Sequence, residues 1–329
     1  MNFQRILELD ALRGLAALAV IFYHYFFRYN QIYGHENLHV DWADVGRAGV
    51  QLFFMVSGFV IFWTLNRTER PLDFLVSRFS RLYPAYWLAI FVTFSIVYVC
   101  GLPGREASLS EALANTLMFH EYFGVPHVDG VYWTLTVELT FYFWIFLIYL
   151  SSNLNRIEEI FSVLIFVSML HSLGLISIPT TLYKFFILRH IPLFLGGICF
   201  YKLFNNDYNK KTVITLALSL FSTIVIYSFK PFILFTGFYL LFFMVVSGRL
   251  KILTFKPLVF LGSISYSLYL LHQNIGYVII NKSYELQLHP LIGIFSAIAI
   301  LIVFSTVFMK YIENPALSFI RGAYKRSTG

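Results

Sequence analysis

The chain has 329 residues, of which 58% are hydrophobic, 19% aromatic and only 12% charged, with a net charge of +7. A soluble domain of this length has no means of burying so much apolar surface, which excludes an ordinary globular enzyme and leaves an all-α, polytopic membrane protein. The positive balance does not call for nucleic acid as a partner, because Lys and Arg are scattered through short connections, where they orient a protein in a membrane.

The apolar runs predict about ten transmembrane helices packed as a bundle, over residues 11–28, 47–65, 80–100, 131–150, 158–176, 181–202, 212–229, 232–248, 257–280 and 290–310. The first run follows a basic residue and superficially resembles a signal peptide. It lacks a small-x-small cleavage site, carries Arg13 and is followed by many further spans, so it reads as a retained first helix. Alternate connections hold most of the Lys and Arg residues, which predicts both termini in the cytoplasm. Two outer connections, 29–46 and 101–130, are long and polar and are expected to form a mouth over the bundle, and one inner connection, 66–79, holds Arg67, Arg70 and Arg78. No linker or low-complexity tract interrupts the chain, so residues 1–329 are expected to form one membrane domain with no appended soluble domain. Cys100 and Cys199, both in apolar context, give no disulfide framework and no metal spacing, and are expected to be small buried side chains.

Four constellations carry possible chemistry. Asp10, Arg13 and His24 lie in the first apolar run. Eleven residues at about 100° each bring Arg13 and His24 to one helix face, roughly 16 Å apart along the axis, and Asp10 is placed to pair with Arg13. Ionisable groups at membrane depth normally face a protein interior or a cavity, and His24 has the unperturbed acidity suited to cycling a proton near neutral pH. The alternative is an embedded histidine satisfied by a backbone carbonyl. Arg78 and Arg81, three apart, present two guanidinium forks suited to phosphate oxygens, or else serve only as a positive-inside signal. Glu138 lies about two turns into an apolar span beginning near Trp133, where a carboxylate must pair or be protonated. It fits either a role near a reacting group or an ion pair to Arg13 or Arg78. The stretch from Gly262 to His272, rich in Gly, Ser and Tyr, reads mainly as close helix packing with interhelical hydrogen bonds. Val56-Ser57-Gly58 and Leu195-Gly196-Gly197 read as packing rather than phosphate cradles.

Six ordered blocks carry a family resemblance: Leu9-Asp10-Ala11-Leu12-Arg13-Gly14 with His24; Gln51 to Phe59; Arg78-x-x-Arg81-Leu82-Tyr83-Pro84; Trp133-Thr134-Leu135-x-x-Glu138-x-x-Phe141-Tyr142; Ile264 to His272; and Glu313-Asn314-Pro315. Together they resemble the acyltransferase-3 family of integral-membrane O-acyltransferases. The resemblance implies an acyl-CoA donor, usually cytoplasmic acetyl-CoA, used as a substrate rather than a permanently bound cofactor. It implies as acceptor a hydroxyl of a surface polysaccharide or of its undecaprenyl-linked sugar precursor. It maps the family's essential arginine and histidine onto Arg13 and His24, and its paired arginines onto Arg78 and Arg81.

The resulting expectation is an O-acetyltransferase in the inner (plasma) membrane of a bacterial cell, acting on a surface glycan such as lipopolysaccharide O-antigen. Arg13, Arg78 and Arg81 would attract the CoA phosphates; His24 would activate the hydroxyl, as general base or acetyl carrier; Glu138 would orient or charge its imidazole. Asp10, Trp133, Tyr266 and His272 would orient the site, and no metal is expected. His24 would sit nearer the outer end of its span, which calls for a polar channel from the arginines. A transporter or exporter of a lipid-linked sugar is the rival from another class, and an acyltransferase for a small molecule or peptidoglycan differs only in acceptor.

Overall fold

The structure, a computed structural model, describes residues 6–328, so Met1 to Arg5 and Gly329 of the expected domain lie outside it. Every regular element among the described residues is helical. In chain order these are α1 Leu7–Ile32, α2 Asp41–Leu65, α3 Pro71–Cys100, α4 Leu109–Asn115, α5 Gly130–Leu150, α6 Ile157–Ser172, α7 Thr180–Phe185, α8 Ile191–Phe204, α9 Lys210–Tyr227, α10 Phe229–Val246, α11 Lys256–Glu285 and α12 Pro290–Thr328. The reading of an all-helical, polytopic membrane protein holds.

Seven of these helices, α1, α2, α3, α5, α9, α10 and α12, are long and apolar enough to cross a membrane. The other three expected spans differ for identifiable reasons. The run 158–176 becomes α6, of 16 residues. The run 181–202 is broken between α7 and α8, where Ile187 takes a positive φ of 46°, leaving an apolar helix of 14 residues. The run 257–280 becomes α11, which has 30 residues but is enriched in Ser, Tyr, His, Gln and Asn. The loops shrink as well: α1 runs on to Ile32 and α2 opens in a 3-10 turn at Asp41, so the connection between them spans only residues 33–40. Cys199 is buried as expected, but Cys100 is exposed, because it is the last residue of α3.

The chain divides into two compact units. The first comprises Met1–Ala16, Ala48–Pro71 and Val137–Val259. Its centre is the contact of α2 with α8, made close by glycine: a Cβ on Gly58 would overlap the Phe194 carbonyl, and one on Gly197 the Met55 carbonyl. Both glycine-rich stretches are therefore packing devices. Phe141 stacks on Phe194 at 4.0 Å between ring centroids, and Lys202 donates to the buried Glu158 at 2.9 Å.

The second unit comprises Ala17–Arg47, Leu72–Thr136 and Phe260–Gly329. Its centre is α11, buried almost continuously from Ile264 to Val278. A helix with so many polar side chains stays buried only if their hydrogen bonds are met by neighbours, and the segment 128–134 meets many of them. Tyr269 bonds the Thr134 hydroxyl at 2.8 Å, the Asn274 amide nitrogen donates to the Val128 carbonyl at 2.9 Å, and the Asn274 backbone N–H donates to Asp129 at 3.0 Å.

Candidate active site

His24 lies inside a π-helical stretch of α1, Tyr23–Arg28, and is 9% exposed. A wide π turn within an α-helix re-aims side chains and frees backbone groups, and such turns concentrate at functional sites. The carbonyl of Tyr25 accepts from His35 Nε2 at 2.7 Å, while the Tyr25 hydroxyl donates to the His272 carbonyl at 2.6 Å. Gly276 makes this possible, since a Cβ there would overlap the Tyr25 ring.

The imidazole of His24 meets that of His272: His24 Nδ1 and His272 Nε2 are 2.9 Å apart. His272 Nδ1 lies 2.8 Å from the Tyr269 carbonyl, which only accepts, so His272 carries its proton on Nδ1. A neutral His272 then offers Nε2 as an acceptor, and His24 must donate from Nδ1. The tautomer left on His24 has its lone pair on Nε2, the state required of a general base or nucleophile. A chain of hydrogen bonds starting at one backbone carbonyl thus fixes which nitrogen of His24 keeps its lone pair.

The α11 backbone around His272 is tied to side chains from elsewhere in the unit. Tyr132 donates to the Leu270 carbonyl at 3.3 Å, Tyr25 to the His272 carbonyl, and Asp129 accepts from Asn274. Burial pushes the Asp129 carboxyl up to about 6, against the two backbone N–H groups it accepts, from Asn274 and Val131. Arg105, from the connection before α4, places its guanidinium 5.6 Å from the Tyr277 ring centroid, and Tyr277 in turn lies 6.5 Å from the His24 ring. Gln273 is buried with its Oε1 lacking a hydrogen-bond partner. Neither Arg105 nor Gln273 stood out in the sequence, because one lies in a long polar connection and the other in a stretch that reads as packing.

The paired arginines belong to the same unit but are not equivalent. Arg81 forms an ion pair with Glu313, whose other oxygen accepts from Ser267 at 2.6 Å, and its guanidinium lies 5.7 Å from the Tyr266 ring. Glu313 is 2% exposed and sits in the second π-helical stretch, Met309–Glu313. Arg78 donates to Ser77 at 2.9 Å, beside Arg321, which donates to the hydroxyls of Ser77 at 3.1 Å and Ser80 at 3.2 Å. Tyr266 holds the Leu82 carbonyl at 2.8 Å. Arg78 and Arg321 thus converge on the Ser77 hydroxyl, and Arg81 is paired with a carboxylate. The motif Glu313-Asn314-Pro315 was the available signal for Glu313; nothing in sequence spacing marks Arg321.

Trp133 is half-buried near the start of α5 in this unit. Asp10, Arg13 and Glu138 belong to the other unit. There Asp10 and Arg13 pair at 3.9 Å, and Glu138 accepts from Ser57 at 2.7 Å and from Tyr142. The connection after α3 holds its own histidine pair, His120 Nε2 and His127 Nδ1 at 2.8 Å, and burial together with His127 pushes His120 down to about 4. No group of three or more metal-ligating side chains occurs among the described residues.

Helices of membrane length place the chain among polytopic membrane proteins, and sequence comparison supplies the family. The chain belongs to the acyltransferase-3 family, whose match, described as an acyltransferase domain, covers residues 6–310. It is similar to the peptidoglycan O-acetyltransferase OatA of Listeria monocytogenes, at 27% identity over 320 residues, covering 80% of this chain and 48% of the relative. The O-acetyltransferase OatA of Staphylococcus aureus is 26% identical, with 93% of this chain and 56% of the relative covered. The exopolysaccharide production protein ExoZ of Rhizobium meliloti is 31% identical over 106 residues, 30% of this chain and 32% of the relative. The chain spans about half the length of the OatA relatives it matches. No solved structure matches it.

Proposed function

We propose that this protein is an O-acetyltransferase that moves an acetyl group from acetyl-CoA to a hydroxyl of a cell-surface polysaccharide or of its undecaprenyl-linked precursor. The single observation that carries the reading is the His24–His272 pair, which leaves His24 Nε2 as the basic nitrogen in a buried setting. As general base, that nitrogen takes the proton of the acceptor hydroxyl while its oxygen attacks the thioester carbonyl. Collapse of the tetrahedral intermediate expels CoA thiolate, which recovers the proton from the imidazolium. As acetyl carrier, the same nitrogen attacks the thioester and expels CoA thiolate, and the acceptor hydroxyl then attacks the acetyl group on the imidazole, its proton passing to the thiolate as the imidazole leaves. Two relatives are named for O-acetyl transfer and a third for exopolysaccharide production, which favours a glycan acceptor over a small molecule.

In this reading the donor enters from the cytoplasm. Arg78, with Arg321 beside it, grips the CoA phosphates, and Arg81 shapes the grip through Glu313. The family resemblance marks Arg13 as essential; Glu138, which accepts from Ser57 and Tyr142, is assigned no step. The distribution of Lys and Arg favours both termini in the cytoplasm, and the family resemblance favours a bacterial inner membrane. The test is mass spectrometry of surface glycans from cells lacking the gene, complemented with wild type or His24→Ala. Acetyl groups present with wild type and absent with His24→Ala support the proposal, whereas glycans identical in all strains refute it.

A further inference from the structure

A cavity of about 640 Å³ lies at the ends of α1, α3 and α11, entirely within the second unit. Its lining includes Tyr29, Tyr33 and Tyr284 together with His35, Glu36 and Asn281. We propose that this cavity is the subsite that holds uncharged pyranosyl units of the acceptor, a reading that rests on the glycan-acceptor function above and specifies where the glycan binds.

The first argument is the chemistry of the walls. A pyranose ring offers apolar C–H faces and a rim of hydroxyls, and it binds where planar apolar surfaces alternate with fixed hydrogen-bonding groups. Tyr29 stacks on His35 at 4.6 Å and on Tyr284 at 6.2 Å between ring centroids, and Tyr33 lies 5.1 Å from Tyr29, so the rings form a continuous aromatic wall. The wall is held rigidly: His35 donates from Nε2 to the Tyr25 carbonyl and accepts from the Tyr284 hydroxyl at 2.7 Å, Tyr29 donates to Asn281, and Tyr33 donates to the Pro103 carbonyl at 3.0 Å. Gly34, at φ 81°, turns the chain after α1 so that His35 folds back against it.

The second argument is charge. Lys282 donates to both oxygens of Glu285 at 2.8 Å, which matches the cation of the lining and leaves Glu36 there, while Arg105 reaches Tyr33 from beyond the lining with Glu106 beside it. A carboxylate rim accepts hydroxyl hydrogens and repels phosphate, which selects sugar over an anionic lipid headgroup or the carrier diphosphate.

The third argument is position. Tyr29 packs on Tyr277 at 5.5 Å, and Tyr277 lies 6.5 Å from the ring of His24, so one aromatic ring separates the cavity wall from the proposed base. The cavity includes residues from the C-terminal end of α3, about 30 Å along that helix from Arg78. Acceptor and donor phosphates would therefore approach His24 from opposite ends of the unit.

The test uses the full chain in detergent, with chitotetraose as the probe for saturation-transfer NMR, and the acceptor KM for glycan acetylation as a second readout. Tyr33→Ala should abolish saturation transfer and raise the acceptor KM at least tenfold. The double variant Glu36→Gln, Glu285→Gln, whose carboxylates are exposed, should raise the acceptor KM at least threefold; it decides the matter if Tyr33→Ala fails to fold. Absence of saturation transfer to the wild type, or unchanged acceptor KM in folded variants, overturns the subsite. If the wild type binds chitotetraose but acetylates no glycan, the transferase reading fails while the subsite stands.

Discussion

A histidine held by a second neutral histidine differs from one held by a carboxylate, because its partner fixes the tautomer without adding a negative charge. That is the arrangement of His24, whose Nδ1 faces His272 Nε2. His272 accordingly acts as a positioning residue, and an amide oxygen is able to replace its acceptor nitrogen where an aliphatic side chain is not. His272→Leu should lower kcat about 100-fold with the acceptor KM within threefold, whereas His272→Gln should retain at least a tenth of wild-type kcat. Equal losses in the two variants would show that His272 only fills space. A second residue-scale expectation concerns His120, which burial and His127 push down to about 4. Because its acidity is depressed in the fold, the folded state binds fewer protons than the unfolded chain between about pH 6.5 and 4, so this contribution is complete above 6.5 and is lost as pH falls toward 4. Protection from hydrogen exchange across residues 109–129, corrected for the intrinsic pH dependence of amide exchange, should fall over that window, and His120→Gln should flatten the response; an unaltered acid response in the variant would contradict it. His24 and Arg13 stood out in the sequence because ionisable groups inside an apolar run are conspicuous, and Arg78 because it stands three residues from Arg81. The pairing of His24 with His272, 248 positions away, was not, since tertiary structure alone joins them.

At the scale of elements, small residues and polar buttresses explain why short or polar helices are retained in an apolar protein. α8 has 14 residues, and its place is set by close approach to α2 at Gly58 and Gly197. A methyl group at either position meets backbone rather than a movable side chain. Gly197→Ala should therefore destabilise the protein by roughly 1–3 kcal/mol, read as a lower thermal midpoint in detergent, while Gly237→Ala, which has open space, should not. Equal midpoints for the two variants would refute the packing argument. The hydrophobic pattern found the helices but overestimated those of membrane length. Hydropathy does not register that Ser, Tyr, His, Gln and Asn on α11 are satisfied by neighbours, nor that a left-handed residue at Ile187 breaks a continuous apolar run.

For the whole molecule, orientation connects charge distribution to function. On the proposed orientation, with both termini in the cytoplasm, the C-terminal end of α3 would lie outside; Cys100 stands exposed there while Cys199 is buried. A membrane-impermeant maleimide applied to spheroplasts should label Cys100 and spare Cys199 until the protein is denatured; labelling of Cys100 only after the cytoplasmic face is opened would invert the topology. The membrane class and the family were legible because composition and six ordered blocks span the chain. The division into two compact units was not, because its boundaries fall within continuous helices.

The central claim, that His24 transfers an acetyl group from acetyl-CoA to a glycan hydroxyl, is tested most directly with purified protein in membrane vesicles, acetyl-labelled CoA and a surface glycan. Wild type should move the label into alkali-labile ester on the glycan, and His24→Ala, inserted and folded to the same extent, should lose at least a factor of about 100 in that rate. Transfer by His24→Ala within a few-fold of wild type would contradict the account.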